Sequence, residues 1–160
     1  MNNAALSITA SRIGLISDTH NLVRPEALSC LEGCGHIIHA GDICNEAVLE
    51  TLSAIAPLTA VRGNNDRGPW AERLQEIELL KVNDVVVLVI HDVAQLKGRI
   101  LPSDVRVVVS GHSHKPGVSE KEGVLYVNPG SAGPRRFKLR ISLGELRVEG
   151  ASVQARLIEI

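Results

Sequence analysis

Five short apolar runs set the plan of this chain, and each stops at a residue able to offer oxygen or nitrogen to a cation. The runs cover residues 13–17, 37–39, 58–61, 85–90 and 105–110. Asp18-Thr19-His20 follows the first and Gly41-Asp42 the second. Gly63-Asn64-Asn65-Asp66 follows the third, His91-Asp92 the fourth and Gly111-His112-Ser113-His114 the fifth. The apolar character is nearly continuous rather than alternating, which suits strands covered on both faces. Successive donor positions lie between 21 and 27 residues apart. That interval holds a strand, a connection and the next strand. In open α/β sheets the carboxyl ends of strands share one edge, and ligands bind there. Asp18, His20, Asp42, Asn64, His91, His112 and His114 are therefore expected to converge in one cleft.

The remaining sequence fills in the architecture. Pro25 suits a first helical turn, with residues 26–31 following and Gly33 as a stop. Residues 45–54 predict a second helix, with Asn45 as a cap and Val48, Leu49 and Leu52 on one face. Residues 69–74 predict a short third helix. Residues 76–82 and 85–90 flank Asn83-Asp84, a hairpin turn. Residues 124–128, 137–143, 145–148 and 153–160 read as further strands joined by glycine-containing turns. The first half thus resembles βαβ units and the second half antiparallel ribbons. The expectation is an α/β chain of two packed mixed sheets with helices outside, one domain over residues 1–160 with a loose polar leader over 1–10.

Composition narrows the function classes. The 17 Lys and Arg nearly balance the 18 Asp and Glu, so no broad polyanion-binding surface is expected. Trp70, Tyr126 and Phe137 are the only aromatic residues, too few for an extended base-stacking platform, so no clear nucleic-acid surface is read from them. No apolar run approaches the roughly 20 residues of a membrane span, and no export signal opens the chain. With three cysteines, an odd number, the expectation is reduced thiols in a cytoplasmic protein. The short aliphatic C-terminal strands leave homo-oligomeric pairing open.

Local spacing suggests how the donors act together. Side chains at i and i+2 of an extended segment point the same way, so Asp18 with His20, and His112 with His114, are each expected to serve one place. Glycines at 41, 63 and 111 let the chain turn sharply. Two Asp, one Asn and four His suit Mn²⁺, Fe²⁺, Zn²⁺ or Ni²⁺ better than Mg²⁺ alone. Seven ligands exceed one ion and suffice for two if a carboxylate bridges. Two ions about 4 Å apart can clamp a phosphoryl group and acidify a water.

In these motifs, in this order, the chain resembles the calcineurin-like metallophosphoesterases. More narrowly it is similar to their minimal-domain bacterial and archaeal phosphodiesterase branch, which includes the retromer scaffold subunit. The turn Asn128-Pro129-Gly130-Ser131 also matches, and the resemblance spans roughly residues 12–160. It implies an αββα sandwich. It implies one ion held by Asp18, His20, Asp42 and His114, and another by Asp42, Asn64, His91 and His112, with Asp42 bridging. Asn64, Asp42 and His112 are read as catalytic besides ligating. Two sequence departures stand out. Many members carry Gly-Asn-His-Glu, and Asn65 occupies the place of that His. Asn cannot act as a general acid at neutral pH. Asp92 stands where Gly often follows the histidine, and could orient a ligating imidazole.

The expected activity is a metal-dependent phosphoesterase, a phosphodiesterase rather than a phosphomonoesterase, acting on a small phosphoester. It uses a dinuclear centre, with manganese as the first choice, and a metal-bound hydroxide that attacks phosphorus in line. The alternative is a protein-interaction scaffold like the retromer subunit, with little catalysis. Among other residues, His39 reads as a core or supporting residue. Arg62 and Arg67 flank the Gly-Asn-Asn-Asp turn, Cys44 reads as a packing residue, and Arg135-Arg136 as a solvated charge pair.

Overall fold

The computed structural model describes residues 5–160. The βαβ units, from Arg12–Ile16 to Leu58–Ala60, build one of its two sheets, and Leu6–Ile8 belongs to the other. Strand β1 is Leu6–Ile8, β2 Arg12–Ile16, β3 His36–His39 and β4 Leu58–Ala60, with helices α1 Pro25–Leu31 and α2 Glu46–Ser53 between the last three strands. Helix α3, Pro69–Glu72, leads to β5 Ile77–Val82 and β6 Val85–Ile90. The chain continues through β7 Val105–Val109, β8 Gly117–Lys121, β9 Val124–Asn128, β10 Ser142–Glu149 and β11 Ser152–Glu159. One sheet has the order β11-β10-β2-β3-β4, the other β1-β5-β6-β7-β9-β8. Both mix parallel and antiparallel pairs.

The two sheets pack face to face. Ile13, Leu15, Ile38, Leu146 and Val148 of the five-stranded sheet meet Leu80, Val82, Val85, Val87, Val89, Val107, Val109 and Val127 of the other. Each such side chain contributes about 1.5–3 kcal/mol when fully buried. The opposite face of the five-stranded sheet buries Ile16, Ile37 and Leu143 under Ala27 and Leu31 of α1 and Val48 and Leu52 of α2. The outer face of the six-stranded sheet, with Val86, Leu88, Ile90 and Val108, is covered more thinly. Leu96, from a single 3-10 turn at Val93–Leu96, and Leu101 lie on it.

Local signals explain most elements. Asn45 caps α2 by accepting the N–H of Ala47 at 2.9 Å. Asn83 takes a left-handed φ of 51° at the β5–β6 hairpin, as tight two-residue turns require. Two expectations need correction, and one strand was unexpected. The leader is not loose at Leu6–Ile8, which pairs in parallel with β5, Leu6 opposite Leu80; residues 1–4 lie outside the described residues. The expected strands 137–143 and 145–148 are not two strands joined at Gly144. Gly144 lies inside β10, opposite Leu15 on one side and Leu157 on the other, and residues 137–141 precede that strand. Finally, β8 (GVSEK) was not foreseen, because it is exposed at every position and carries no apolar signal.

Candidate metal centre

The donor residues gather where the sheets meet. Asp18, Asp42 and Asn64 follow β2, β3 and β4 of one sheet, and His91 and His112 follow β6 and β7 of the other. The cleft is thus a seam between the ends of two sheets rather than the edge of one.

Two groups form, joined by one carboxylate. In the first, Asp18 Oδ1 lies 3.3 Å from His114 Nε2 and 3.9 Å from His20 Nε2, and the two imidazole nitrogens are 3.3 Å apart. In the second, Asn64 Oδ1 lies 3.0 Å from His91 Nε2 and 3.1 Å from His112 Nδ1. Asp42 Oδ2 stands between them, 3.7 Å from His20 Nε2 and 3.4 Å from His91 Nε2. All seven expected side chains therefore come together. Asp18 and His20 serve one group, as expected, whereas His112 and His114 do not, and neither pair lies on extended backbone. Asp18, His20, Asp42, His112 and His114 all have left-handed φ, between 43° and 69°. The His112 and His114 rings consequently enter different groups. Such backbone costs on the order of 1–3 kcal/mol per residue and persists only where its surroundings hold it.

The surroundings do so with backbone bonds. The N–H groups of Asp18, His20 and Asn21 donate to the carbonyls of Gly41, Asp42 and Ile43 at 2.9–3.0 Å, locking the first loop onto the second. The Asp66 carboxylate accepts four N–H groups, from Asp42, Ile43, Cys44 and Gly63, at 2.7–3.0 Å. The loops approach so closely that a Cβ on Gly63 would strike Asp42, and one on Gly111 would strike Ser17 and Asp18. Asn128 donates to Gly111 O at 2.9 Å and steadies the last loop. The sequence pattern assigns no role to Asp66 or Asn128, although both lie in the Gly-Asn-Asn-Asp and Asn-Pro-Gly-Ser turns. The signal was there: a carboxylate and an amide, each beside a glycine turn.

The centre draws positive charge. Burial opposes ionisation of Asp42, yet hydrogen bonds from His91 and Asn65 outweigh it and hold the carboxyl below its usual range. The Asp18 carboxyl is lowered too, burial being overcome by the adjacent His114 and His91 rings and by the Ser17 hydroxyl bonded to Oδ2. His91 moves the other way: burial disfavours its cationic form, but Asp42 and Asp18 raise it above the ordinary histidine value. Asp18 Oδ1 is buried with no hydrogen-bond partner although it faces two imidazole nitrogens. Buried carboxylate oxygens are seldom left so, and a shared cation answers all four observations. The mixed oxygen and nitrogen set fits a borderline divalent ion.

The supporting residues sort themselves by partner. His91 keeps Nε2 for the centre because its Nδ1 donates to Ala40 O at 2.7 Å. Asp92 caps the following turn with Oδ1, bonded to Ala94 N, and turns Oδ2 toward His112 Nε2 at 3.9 Å. His39 is wholly buried. Its Nδ1 accepts the Gly41 N–H and its Nε2 donates to Thr19 Oγ1 at 3.0 Å, so it braces both loops from behind. Cys44 Sγ lies 3.6 Å from His20 Nδ1, a contact its reading as a packing residue did not include. Asn65 Nδ2 donates to Asp42 Oδ2 at 2.8 Å. Beside the second group, Arg62, Glu76, Asp92 and Gln95 line a cleft of about 190 Å³ that also touches Asn64, His91 and His112. Arg62 is held there by Glu76 at 2.9 Å. Arg67 is exposed and does not line it.

Two packed mixed sheets with Asp and His donors at their shared seam define a metallophosphoesterase architecture. A family model described as the calcineurin-like phosphoesterase superfamily domain matches residues 12–150, and the chain belongs to that superfamily. A probable metallophosphoesterase of Methanocaldococcus jannaschii is 37% identical over 161 residues, covering 92% of this chain and 81% of the relative. Among solved structures, an archaeal phosphodiesterase superposes with a TM-score of 0.76 at 23% identity, covering 92% of this chain and 99% of that one. Vps29 of Entamoeba histolytica complexed with Zn²⁺ gives 0.72 at 22% identity, covering 92% and 98%. Among the described residues, no helix is long and apolar enough to cross a membrane.

Proposed function

We propose that this chain hydrolyses phosphoesters, diesters in preference to monoesters, at a centre of two divalent cations. The observation that carries the reading is the pair of donor groups sharing Asp42 Oδ2. Asp18, His20 and His114 would hold one ion, and Asn64, His91 and His112 the other, with Asp42 common to both. Manganese is the first choice from the family resemblance alone, since the mixed oxygen and imidazole donors suit nickel, iron and zinc as well. When bound, the ions supply positive charge at the phosphoryl oxygens and an acidified water as nucleophile.

The chain's own residues do the rest. Asp66 and His39 hold the two loops so that the donors need little reorganisation, which is the economical form of electrostatic catalysis. Asn65 spends its amide on Asp42 and carries no proton to give a departing alkoxide. That favours esters with good leaving groups. The 190 Å³ cleft beside Asn64 and His91 offers room for the second ester group that a diester carries. A scaffold without chemistry would have no need of seven convergent donors, so the enzyme reading stands above it. The three free cysteines support a reducing, cytoplasmic setting.

Chelator-stripped protein reloaded with Mn²⁺ tests this. We expect two bound ions per chain by elemental analysis and faster turnover of bis-p-nitrophenyl phosphate than of p-nitrophenyl phosphate. A single ion would overturn the dinuclear centre. A monoester preference would overturn the diester assignment, and no turnover of either would overturn the enzyme.

A further inference from the structure

Residues 132–140 form an excursion with a fixed root and an open tip. Ser142 N donates to Ser131 O at 3.0 Å and closes the base. The root is stitched to the loop carrying Asp18: Ala132 N donates to Ser17 O at 3.1 Å, Ser131 Oγ to Asp18 O at 2.9 Å, and Arg24 to Gly133 O at 3.2 Å. Gly133 lies so near the carbonyls of Asp18 and Thr19 that any side chain there would collide with them. The root therefore sits against the first donor group.

The tip has an unusual make-up. In a chain with a net charge of −1, residues 135–140 contain Arg135, Arg136, Lys138 and Arg140 and no acid. Arg140 pairs with Glu159 at 3.3 Å. Arg135, Arg136 and Lys138 are exposed and have no ion-pair partner among the described residues. Between them Phe137 is 88% exposed, held at a left-handed φ of 55° in a turn where Leu139 N donates to Arg136 O. An aromatic ring left in water forgoes the stabilisation that burial gives. Its setting among free cations suits a partner that is both anionic and flat. Lys115, exposed directly after His114, adds a further cation next to the first donor group.

We propose that this loop binds single-stranded nucleic acid and positions it for the centre. The cations take phosphates flanking the scissile one, and Phe137 stacks on a base. The count of aromatics over the whole chain argues against a stacking platform. The fold alters that inference by presenting one ring within a cationic loop rooted at Asp18. An anionic membrane would also meet such charges. A loop anchored to the phosphoester site fits better with a polymer whose cleavable and flanking phosphates lie on one strand. The inference rests on the diesterase reading for its substrate, but not for its binding.

Fluorescence anisotropy of the full chain with a labelled, hydrolysis-resistant phosphorothioate dodecathymidylate tests it, at salt between about 50 and 200 mM. Binding is expected to weaken at least about tenfold in Arg135→Gln/Arg136→Gln/Lys138→Gln, and the slope against log salt to fall by about 2. Phe137→Ala is expected to cost about tenfold with the slope unchanged. Absence of binding in the unmodified chain, or variants that bind as it does, would overturn the proposal. So would loss confined to phosphatidylserine vesicles. Because the probe is not cleaved, failed hydrolysis of aryl esters would sink the diesterase reading while leaving this result intact.

Discussion

The carboxylate of Asp66 accepts the backbone N–H of Asp42 at 3.0 Å, and so fixes the residue that joins the two donor groups. The same carboxylate holds Ile43, Cys44 and Gly63. Asp66→Asn keeps the volume but leaves one acceptor oxygen for four donors. Each buried donor left unpaired costs about 1–3 kcal/mol. Supporting residues of this kind typically govern metal affinity by 10–100-fold. We expect weaker Mn²⁺ binding by calorimetry within about that range, and a lower Tm. Unchanged affinity would remove Asp66 from the support of the site.

Asp42 and Asn64 should differ in what their loss does to metal content. Asp42 faces both groups and Asn64 only the second. Asp42→Ala is expected to bind no ion tightly, whereas Asn64→Ala should retain one. Elemental analysis after desalting distinguishes the two. Equal stoichiometry in both variants would contradict the shared carboxylate.

His39 predicts a pH dependence of stability. Burial pushes its imidazole down to about 4 from an ordinary value of 6.5, the nearby Asp18 only partly opposing this. The unfolded chain thus binds a proton at higher pH than the folded one. Stability is complete above about pH 6.5 and is lost as pH falls toward 4, by about 3 kcal/mol in total. Denaturant melts of chelator-treated protein and of His39→Gln follow this. Gln cannot titrate and keeps an N–H for Thr19. The variant should be the less stable at pH 7, with the gap closing by pH 5. A gap independent of pH would refute the assignment.

Asn65→His tests the leaving-group argument. The substitution removes the amide bond to Asp42 and supplies a group able to carry a proton. Absolute rates with aryl diesters are expected to fall. The ratio of alkyl to aryl diester turnover should rise, and that gain should fade on the alkaline side as the new imidazole loses its proton. A ratio equal to that of the unmodified chain would show that proton supply does not govern the choice of ester.

Much of this protein is written in its sequence as punctuation. Val85–Ile90 is six apolar residues bounded by Asp84 and His91, and such a run has little choice but a strand buried on both faces. The same logic gave β2, β3, β4 and β7, and Asn45 marked the start of α2. Because every donor follows directly from one of those runs, the seven candidate ligands were legible too. Strand β8 and the segment Leu6–Ile8 were not, since each is ordered by a neighbour's backbone rather than by its own apolar pattern.

The sequence alone determined which residues stand at the ends of strands, because hydrophobic periodicity and turn chemistry act over a few neighbours. The tertiary structure alone decided how those ends meet. Asp18 and Asp42 come from one sheet and His91 and His112 from the other, and His112 parts from His114 through left-handed backbone. It also brought Asp66 under Asp42 and rooted the cationic loop of Phe137 beside Asp18. These are contacts between segments remote in sequence, set by sheet packing and hydrogen bonding that no local pattern encodes.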